Sequence, residues 1–286
     1  MKPNKRFLCQ PPSFWAHVRA ISETVGYTVR GKKAIKVPRL EDMAEAMQSR
    51  NLSFEHLAAD GRRSTKLGRL LCDYFSYRSQ VLNDYVEPRL MDAKQAGALY
   101  QKLKRELRPS ASCLMPMNKQ KGSKRAKAYL TCMVNMLIEA HSGAGACDYD
   151  PRKLTIVTQN NLPIRTLARR VDGAFPSTVN PVAIWEIKEY YYTTTFGSRV
   201  ADGVYETLLD GMELFELQKS EGINVLHYLI IDAYYTWWEC GRSYLCRIID
   251  ALHMGLLDEV LFGYEIVERL PEIVNQWTKI AQKRRM

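Results

Sequence analysis

The run VAIWEIKEY constrains the fold of this chain more than any other segment. Its aromatic and β-branched residues favour a strand. Side chains alternate between the two faces of a strand, so Ala183, Trp185 and Ile187 share one face. Glu186 and Lys188 share the other face. The segment therefore predicts a strand that packs against a helix on one side and carries a carboxylate beside an ammonium group on the other.

Helical and strand-like segments alternate in the second half of the chain. The segments with helical periodicity are YLTCMVNMLIEAHSG, ADGVYETLLDGMELFEL, RSYLCRIIDALHMG and PEIVNQWTKIAQKRRM. In the second of them, Val204, Leu208, Met212 and Phe215 recur at helical spacing. The strand-like segments are LTIVT, RVDGAF, VAIWEIKEYYYTTT, VLHYLIID and EVLFGYE. This alternation predicts an α/β fold whose central sheet is covered by helices on its faces.

The first part of the chain predicts short helices instead. LEDMAEAMQSR and FEHLAAD read as amphipathic helices, the second capped by Ser53, and STKLGRLLCDYFSYRSQVLNDYV reads as a longer helix capped by Ser64. These segments predict a compact helical module at the amino-terminal end.

Positive charge is concentrated in the first half of the chain. The formal net charge is +10, from 41 Lys and Arg against 31 Asp and Glu. Residues 1–130 hold 26 basic and 11 acidic residues (+15), and residues 131–286 hold 15 and 20 (−5). Basic surfaces favour nucleic acids, because they release the counterions condensed on phosphates. An anionic membrane surface or an acidic protein could use the same charge.

The stretch RPSASCLMPMNKQKGSKRAK lacks acidic residues and contains the prolines, serines and glycine typical of a loop. It is either a segment that contacts phosphates or a solvated connector. We therefore divide the chain into a helical, basic, DNA-binding domain (1–110), a basic linker (111–127) and a core domain (128–286). The candidate phosphate contacts in the linker are Lys119, Lys121, Lys124 and Arg125.

Several functional classes are disfavoured by the sequence. No apolar stretch is long enough to cross a bilayer and no signal segment opens the chain, so we expect a cytoplasmic protein without membrane contact. The seven cysteines are scattered and never spaced as CxxC, which disfavours a disulfide framework or a zinc site. The chain also lacks the HExxH and GxxxxGK[ST] motifs.

A second carboxylate precedes the central strand. Asp172 lies on the segment RVDGAF, and a hairpin-like return could bring it beside Glu186. Two adjacent carboxylates suit Mg²⁺, and Lys188 could orient a metal-activated water. Asp148 and Asp150 are rival choices for the first carboxylate.

Two other interpretations of these charged residues remain open. Glu186 and Lys188 could form an exposed cross-strand ion pair, which would contribute little. Arg165, Arg169 and Arg170 precede Asp172 and could hold a phosphate beside the metal, or they could simply form a solvated strand end.

The V-D-G at Asp172 and the E-I-K at Glu186, set in strands after an acidic helix, resemble the PD-(D/E)XK nuclease superfamily, which includes the restriction endonucleases. Val171 takes the place of the motif's proline. A second acidic-x-lysine sequence, Asp92-Ala93-Lys94, lies in helical sequence without apolar alternation, and we reject it.

The resemblance covers residues 129–264 and implies a restriction-endonuclease-like core, in which a central mixed sheet is flanked by helices. It implies that Asp172, Glu186 and the carbonyl of Ile187 bind Mg²⁺. Glu139, on the helix before the sheet, would approach the metal and complete a catalytic set with Lys188.

The sequence therefore predicts a Mg²⁺-dependent endonuclease that cuts double-stranded DNA, most simply a type II restriction endonuclease. Cutting both strands requires two sites, so we expect a homodimer. The alternatives are a structure-selective repair or recombination nuclease, and a catalytically inactive DNA-binding protein with a nuclease-like core.

Overall fold

The computed structural model describes residues 1–8, 10–29, 31–32, 34–59, 63–110, 127–143, 147–192 and 197–285. The α-helices are α1 (Lys5–Leu8), α2 (Pro12–Val25), α3 (Leu40–Gln48), α4 (Lys66–Val81), α5 (Ala93–Leu107), α6 (Tyr129–His141), α7 (Ser198–Glu221), α8 (Arg242–His253) and α9 (Glu265–Arg285). The strands are β1 (Ala58–Ala59), β2 (Arg63–Ser64), β3 (Asp148–Tyr149), β4 (Ile156–Gln159), β5 (Leu162–Thr166), β6 (Gly173–Phe175), β7 (Ala183–Glu189), β8 (Leu226–Asp232) and β9 (Glu259–Phe262).

Five strands form a mixed sheet in the order β3, β6, β7, β8, β9. β6 runs antiparallel to both β3 and β7, whereas β7, β8 and β9 are mutually parallel. Parallel neighbours need a crossover, and α7 and α8 provide the two crossovers here. The predicted α/β fold with a mixed sheet flanked by helices is confirmed.

The apolar face of β7 packs as its alternation predicts. Trp185 stacks on Trp277 of α9, with ring centroids 5.4 Å apart and an interplanar angle of 11°. Gly173 lies opposite Trp185 in the sheet, and a Cβ at Gly173 would lie 2.0 Å from the Trp185 ring. A glycine is therefore required at this position. Helices α5, α6 and α9 share one buried cluster with this face of the sheet.

The other face of the sheet is covered by α7 and α8, which share buried clusters with β8 and β9. Helix α7 buries only part of the predicted stripe, since Val204 is 2% exposed and Leu208 is partly buried. Met212 is 60% exposed and Phe215 is 41% exposed, whereas the buried positions include Gly203, Thr207 and Asp210. Its small and polar side chains lie over the charged face of β7, whereas Val200, Val204, Leu214 and Leu217 make its buried apolar contacts.

Helices α2, α3 and α4 pack around a separate aromatic cluster that includes Phe14, Trp15, Tyr74 and Phe75. Two predictions for this region are wrong in detail. FEHLAAD, with Ser53 as its expected cap, makes one turn and then enters β1, which pairs with β2. The cap of α4 is Thr65 and not Ser64, because the Oγ1 of Thr65 accepts a hydrogen bond from the N–H of Gly68 at 3.1 Å.

Helix α5 lies within the segment predicted as the amino-terminal domain, but its buried residues join the cluster of α6 and α9. The rings of Tyr100 on α5 and Tyr129 on α6 lie 5.7 Å apart. The domain boundary at residue 110 remains a prediction.

In the second half of the chain, the structure differs from two of the predictions. LTIVT contributes β4, which pairs with β5 and not with the five-stranded sheet. Asn160 and Asn161 have positive φ angles of 51° and 62°, the backbone that a two-residue hairpin turn requires. The last helix begins at Glu265, six residues before the predicted start at Pro271, because Ile266 and Leu270 are buried in the core.

Among the described residues, no helix is both long enough and apolar enough to cross a membrane.

Candidate active site

The antiparallel pairing of β6 and β7 brings the two predicted carboxylates together. Gly173 pairs with Trp185, so extending the register by one residue sets Asp172 opposite Glu186. The backbone N–H of Asp172 donates to Glu186 Oε1 at 3.2 Å. The N–H of Ile187 in turn donates to Asp172 Oδ2 at 2.7 Å. Each carboxylate is thus held by the backbone of the opposite strand.

Glu186 and Lys188 share the face of β7 that looks toward α7. Glu186 is 0% exposed and Lys188 is 9% exposed. Lys188 Nζ lies 2.9 Å from Glu186 Oε2. The alternative of an exposed ion pair is therefore wrong. Burying an ion is costly unless a partner compensates its charge, and these two side chains compensate each other.

Helix α7 adds two carboxylates that the sequence analysis missed. Glu206 Oε2 accepts from Lys188 Nζ at 2.9 Å, so the ammonium bridges a strand and a helix. Asp210 follows one turn later and is completely buried. Gly203 creates the room for Lys188, since a Cβ there would lie 3.2 Å from Lys188 Cδ.

Arg169 lies at the centre of this cluster. Its NH1 is 2.7 Å from Asp210 Oδ2 and 2.9 Å from Glu186 Oε1, and its NH2 is 3.2 Å from Glu206 Oε2. The predicted phosphate-binding arginine is thus bound to three carboxylates of the chain itself. Arg170 is exposed beside it.

Burial and mutual repulsion raise the proton affinity of two of the carboxylates. Burial, reinforced by the charge of Glu186, raises the pKa of Asp172 to about 7. Burial also raises the pKa of Asp210 to about 7. For Glu186, burial acts in the same direction, but Lys188 and Arg169 outweigh it and hold the pKa below its usual value. With every group ionised, four carboxylates face two cations, an excess of two negative charges.

His227 lies on the same face of the sheet, because it pairs with Ile184, two residues before Glu186. It is buried, and its Nδ1 lies 2.8 Å from the carbonyl oxygen of Leu256. Burial lowers the pKa of this imidazole to about 4. A neutral, buried histidine therefore lies on the sheet face that carries the charged cluster. A lone histidine in an apolar strand gave no sequence signal of this position.

The side chains of other predicted residues have their partners outside the cluster. Glu139 accepts hydrogen bonds from the backbone N–H of Ser110, at 3.2 Å, and from the Ser110 hydroxyl. Asp148 accepts from the N–H of Thr178 at 2.7 Å, and the exposed Asp150 pairs with Arg152. Lys119, Lys121, Lys124 and Arg125 lie outside the described residues.

The residues around Asp172 fit a hard cation by ligand type. Asp172 and Glu186 offer carboxylate oxygens. The N–H of Ile187 points toward Asp172, and the carbonyl of the same strand residue points to the same side. The part of the chain that the structure describes contains no group of three or more His, Cys, Asp and Glu side chains arranged around a metal position. Mg²⁺ commonly uses only one or two protein carboxylates and keeps its waters.

The fold and the cluster define an α/β protein with a buried ionic site on a mixed sheet. Residues 91–277 match the family model described as Domain of unknown function (DUF7687), and residues 1–85 match that described as Domain of unknown function (DUF7690). The chain belongs to the DUF7687 family. No curated protein and no solved structure gave a significant match.

Proposed function

We propose that this protein is a Mg²⁺-dependent endonuclease that hydrolyses phosphodiester bonds in double-stranded DNA, acting as a cytoplasmic type II restriction endonuclease. The observation that carries the proposal is the position of Asp172 opposite Glu186, with Lys188 next on the same strand face. With the β4–β5 hairpin set aside, the elements from α6 to β8 follow the order helix, strand, strand, strand, helix, strand. This order supports the resemblance to PD-(D/E)XK nucleases.

Asp172, Glu186 and the carbonyl of Ile187 would hold the cation. When bound, Mg²⁺ would polarise a phosphate oxygen and lower the pKa of a coordinated water. Lys188, fixed between Glu186 and Glu206, would orient that water and stabilise negative charge developing on the phosphate. With all four carboxylates ionised, a divalent cation would neutralise the two excess negative charges of the cluster, and this supports the assignment.

Arg169 sets a condition on metal binding, because its guanidinium takes lone pairs of Glu186 that the cation would need. Guanidinium groups bind phosphates with the same paired geometry that they use for carboxylates. A substrate phosphate would therefore draw Arg169 away from Glu186. In this proposal, Arg169 weakens cation binding in the free protein, and a substrate phosphate strengthens it.

The +15 charge of residues 1–130 supports a DNA substrate, held through its phosphates. Cutting both strands needs two copies of the site, so the proposed working form is a homodimer. A structure-selective repair or recombination nuclease would use the same residues. Mapping the cut ends on plasmids separates the two enzymes, since only a restriction enzyme cuts at a fixed sequence.

Plasmid cleavage tests the catalytic proposal. Supercoiled DNA is incubated with the parent, Glu186→Ala or Lys94→Ala, in Mg²⁺ or in EDTA. Lys94→Ala is the matched control, because it alters the rejected acidic-x-lysine sequence on the exposed side of α5. The parent and Lys94→Ala should cut only with Mg²⁺, and Glu186→Ala should be inactive. Equal activity of parent and Glu186→Ala, or no cutting by the parent, would overturn the proposal.

One observation favours a second candidate, a DNA-binding protein with an inactive core. Both oxygens of Glu186 already have partners in Arg169, Lys188 and the N–H of Asp172, so the cluster is complete as a structural ion-pair network. This candidate predicts DNA binding by the parent that is equal with and without Mg²⁺, together with intact plasmid.

A further inference from the structure

A cavity of about 480 Å³ lies between α2, α7 and α8, lined by residues outside the Asp172 cluster. Pockets of about 300–1000 Å³ hold small-molecule ligands. Helix α2 belongs to the segment that matches one family model, and α7 and α8 belong to the segment that matches the other. A ligand here would contact both segments. The charged and aromatic residues of its wall include Arg19, Glu23, Tyr27, Arg50, Tyr205 and Arg247.

Arg247 is held in a fixed orientation at the cavity wall. Its guanidinium carbon lies 4.9 Å from the ring centroid of Tyr27 and 4.9 Å from that of Tyr244. Contact with two aromatic rings restrains the guanidinium, a group whose planar set of N–H donors suits a phosphate. The conformational cost of binding an anion is therefore reduced.

The acidic residues of the cavity are already paired with other cations. Asp250 binds the fully buried Arg78 at 3.0 and 3.1 Å. Glu23 pairs with Arg50 at 2.6 Å. Counting Arg78, four guanidinium groups face two carboxylates, an excess of two positive charges. Within the described ranges, neither Arg19 nor Arg247 forms an ion pair with a carboxylate.

An aromatic surface lies beside this positive charge. Tyr205 is 54% exposed and lines the same cavity. Nucleobases stack on exposed aromatic rings of this kind. A ligand that satisfies both features carries an anionic group for Arg19 and Arg247 and a flat ring for Tyr205.

We propose that this cavity binds a free nucleotide, with its phosphates on Arg19 and Arg247 and its base on Tyr205. The inference does not depend on the nuclease activity. Tyr205 is the direct neighbour of Glu206 on α7, so the same helix forms a wall of the cavity and contributes to the Asp172 cluster.

Calorimetric titration of the full-length protein, without added metal, tests the proposal. The probes are the four common nucleoside triphosphates, adenosine, inorganic triphosphate and a 12-nucleotide single strand. At least one nucleoside triphosphate should bind at one molecule per chain, at least tenfold more tightly than adenosine or triphosphate. Inorganic triphosphate that binds as tightly would overturn the role of the base. Binding of the oligonucleotide alone would overturn a free nucleotide as the ligand.

Variants of the cavity locate the binding. Arg247→Ala, Arg19→Ala and Tyr205→Ala should each weaken the nucleotide at least fivefold. Arg105→Ala, at an exposed site on α5, should bind like the parent. Arg19 and Tyr205 are exposed, so their variants keep the test valid even if Arg247→Ala does not fold. No binding at millimolar nucleotide, or parental affinity in both exposed variants, would overturn the proposal.

Discussion

The backbone N–H of Ile187 donates to Asp172 Oδ2 at 2.7 Å, so the strand that carries Glu186 also fixes the carboxylate of Asp172. The spacing between the two carboxylates is therefore set by strand register and by hydrogen bonds to the main chain. In the proposed nuclease, such pre-organisation lowers the cost of bringing two like charges together around a cation.

Arg169 should compete with a cation for Glu186. In EDTA, we expect Arg169→Ala to lose about 3 kcal/mol of unfolding free energy, because buried carboxylates lose their partner. Mg²⁺ should raise the melting temperature of this variant more than that of the parent, since the guanidinium no longer occupies Glu186. Thermal melts with and without Mg²⁺ measure both effects.

Arg165→Ala is the matched control for this experiment, because Arg165 pairs with the exposed Glu216 on the outer part of α7. Its response to Mg²⁺ should equal that of the parent. An equal Mg²⁺ response of Arg169→Ala and the parent would contradict competition at Glu186.

Gly203 should matter for the position of Lys188 more than for stability. An added Cβ would lie 3.0 Å from the hydroxyl of Tyr190 and 3.2 Å from Lys188 Cδ, so Lys188 must shift. Replacing glycine by alanine inside a helix gains about 1 kcal/mol, which offsets part of the crowding. We expect Gly203→Ala to keep a melting temperature near that of the parent and to cut plasmid about tenfold more slowly.

Gly97→Ala provides a helical control away from the site, where the new Cβ would meet the ring of Tyr129 at 3.3 Å. It should cut plasmid at the parental rate. If Gly203→Ala is as active as Gly97→Ala, the position of Lys188 does not govern the reaction.

The buried His227 should make the protein sensitive to acid. Burial lowers its pKa from 6.5 to about 4 in the folded protein. Between these two values, this imidazole binds more protons in the unfolded chain, so its contribution lowers the unfolding free energy as the pH falls from 6.5 to 4. The full loss of unfolding free energy from this group is roughly 3 kcal/mol. Above pH 6.5 its contribution to the unfolding free energy no longer changes with pH.

Urea unfolding at pH 7 and pH 4.5 measures this loss. On going from pH 7 to pH 4.5, His227→Asn should lose less unfolding free energy than the parent, because asparagine does not titrate. His141→Gln, on α6, leaves His227 in place and should keep the parental difference. A parental difference in His227→Asn would show that other groups cause the acid sensitivity.

The central strand and its partner could be predicted from sequence because their signals are local. Alternation along β7 separates Trp185 from Glu186, and antiparallel return of the chain brings Asp172 beside Glu186. The helix predicted for FEHLAAD is wrong because the helical pattern there is short. Pairing with β2 satisfies the backbone of Ala58 instead.

The contribution of α7 could not be derived from apolar periodicity. The helix buries Gly203, Thr207 and Asp210, which an apolar pattern does not select. The spacing of Glu206 and Asp210, four residues apart on a helix that also carries Gly203, is the signal that could have located them. That Arg169 binds them depends on a loop and a helix meeting in three dimensions, about 40 residues apart in the chain.

Titration of a divalent cation into the full-length protein tests most directly whether Asp172 and Glu186 form a metal site. Mn²⁺ is a suitable probe, because it prefers the same carboxylate and carbonyl oxygens as Mg²⁺. We predict one calorimetric site per chain in the parent, and binding at least tenfold weaker in Asp172→Asn and in Glu186→Gln. Parental affinity in both variants, or no binding by the parent, would contradict the assignment of these two carboxylates as metal ligands.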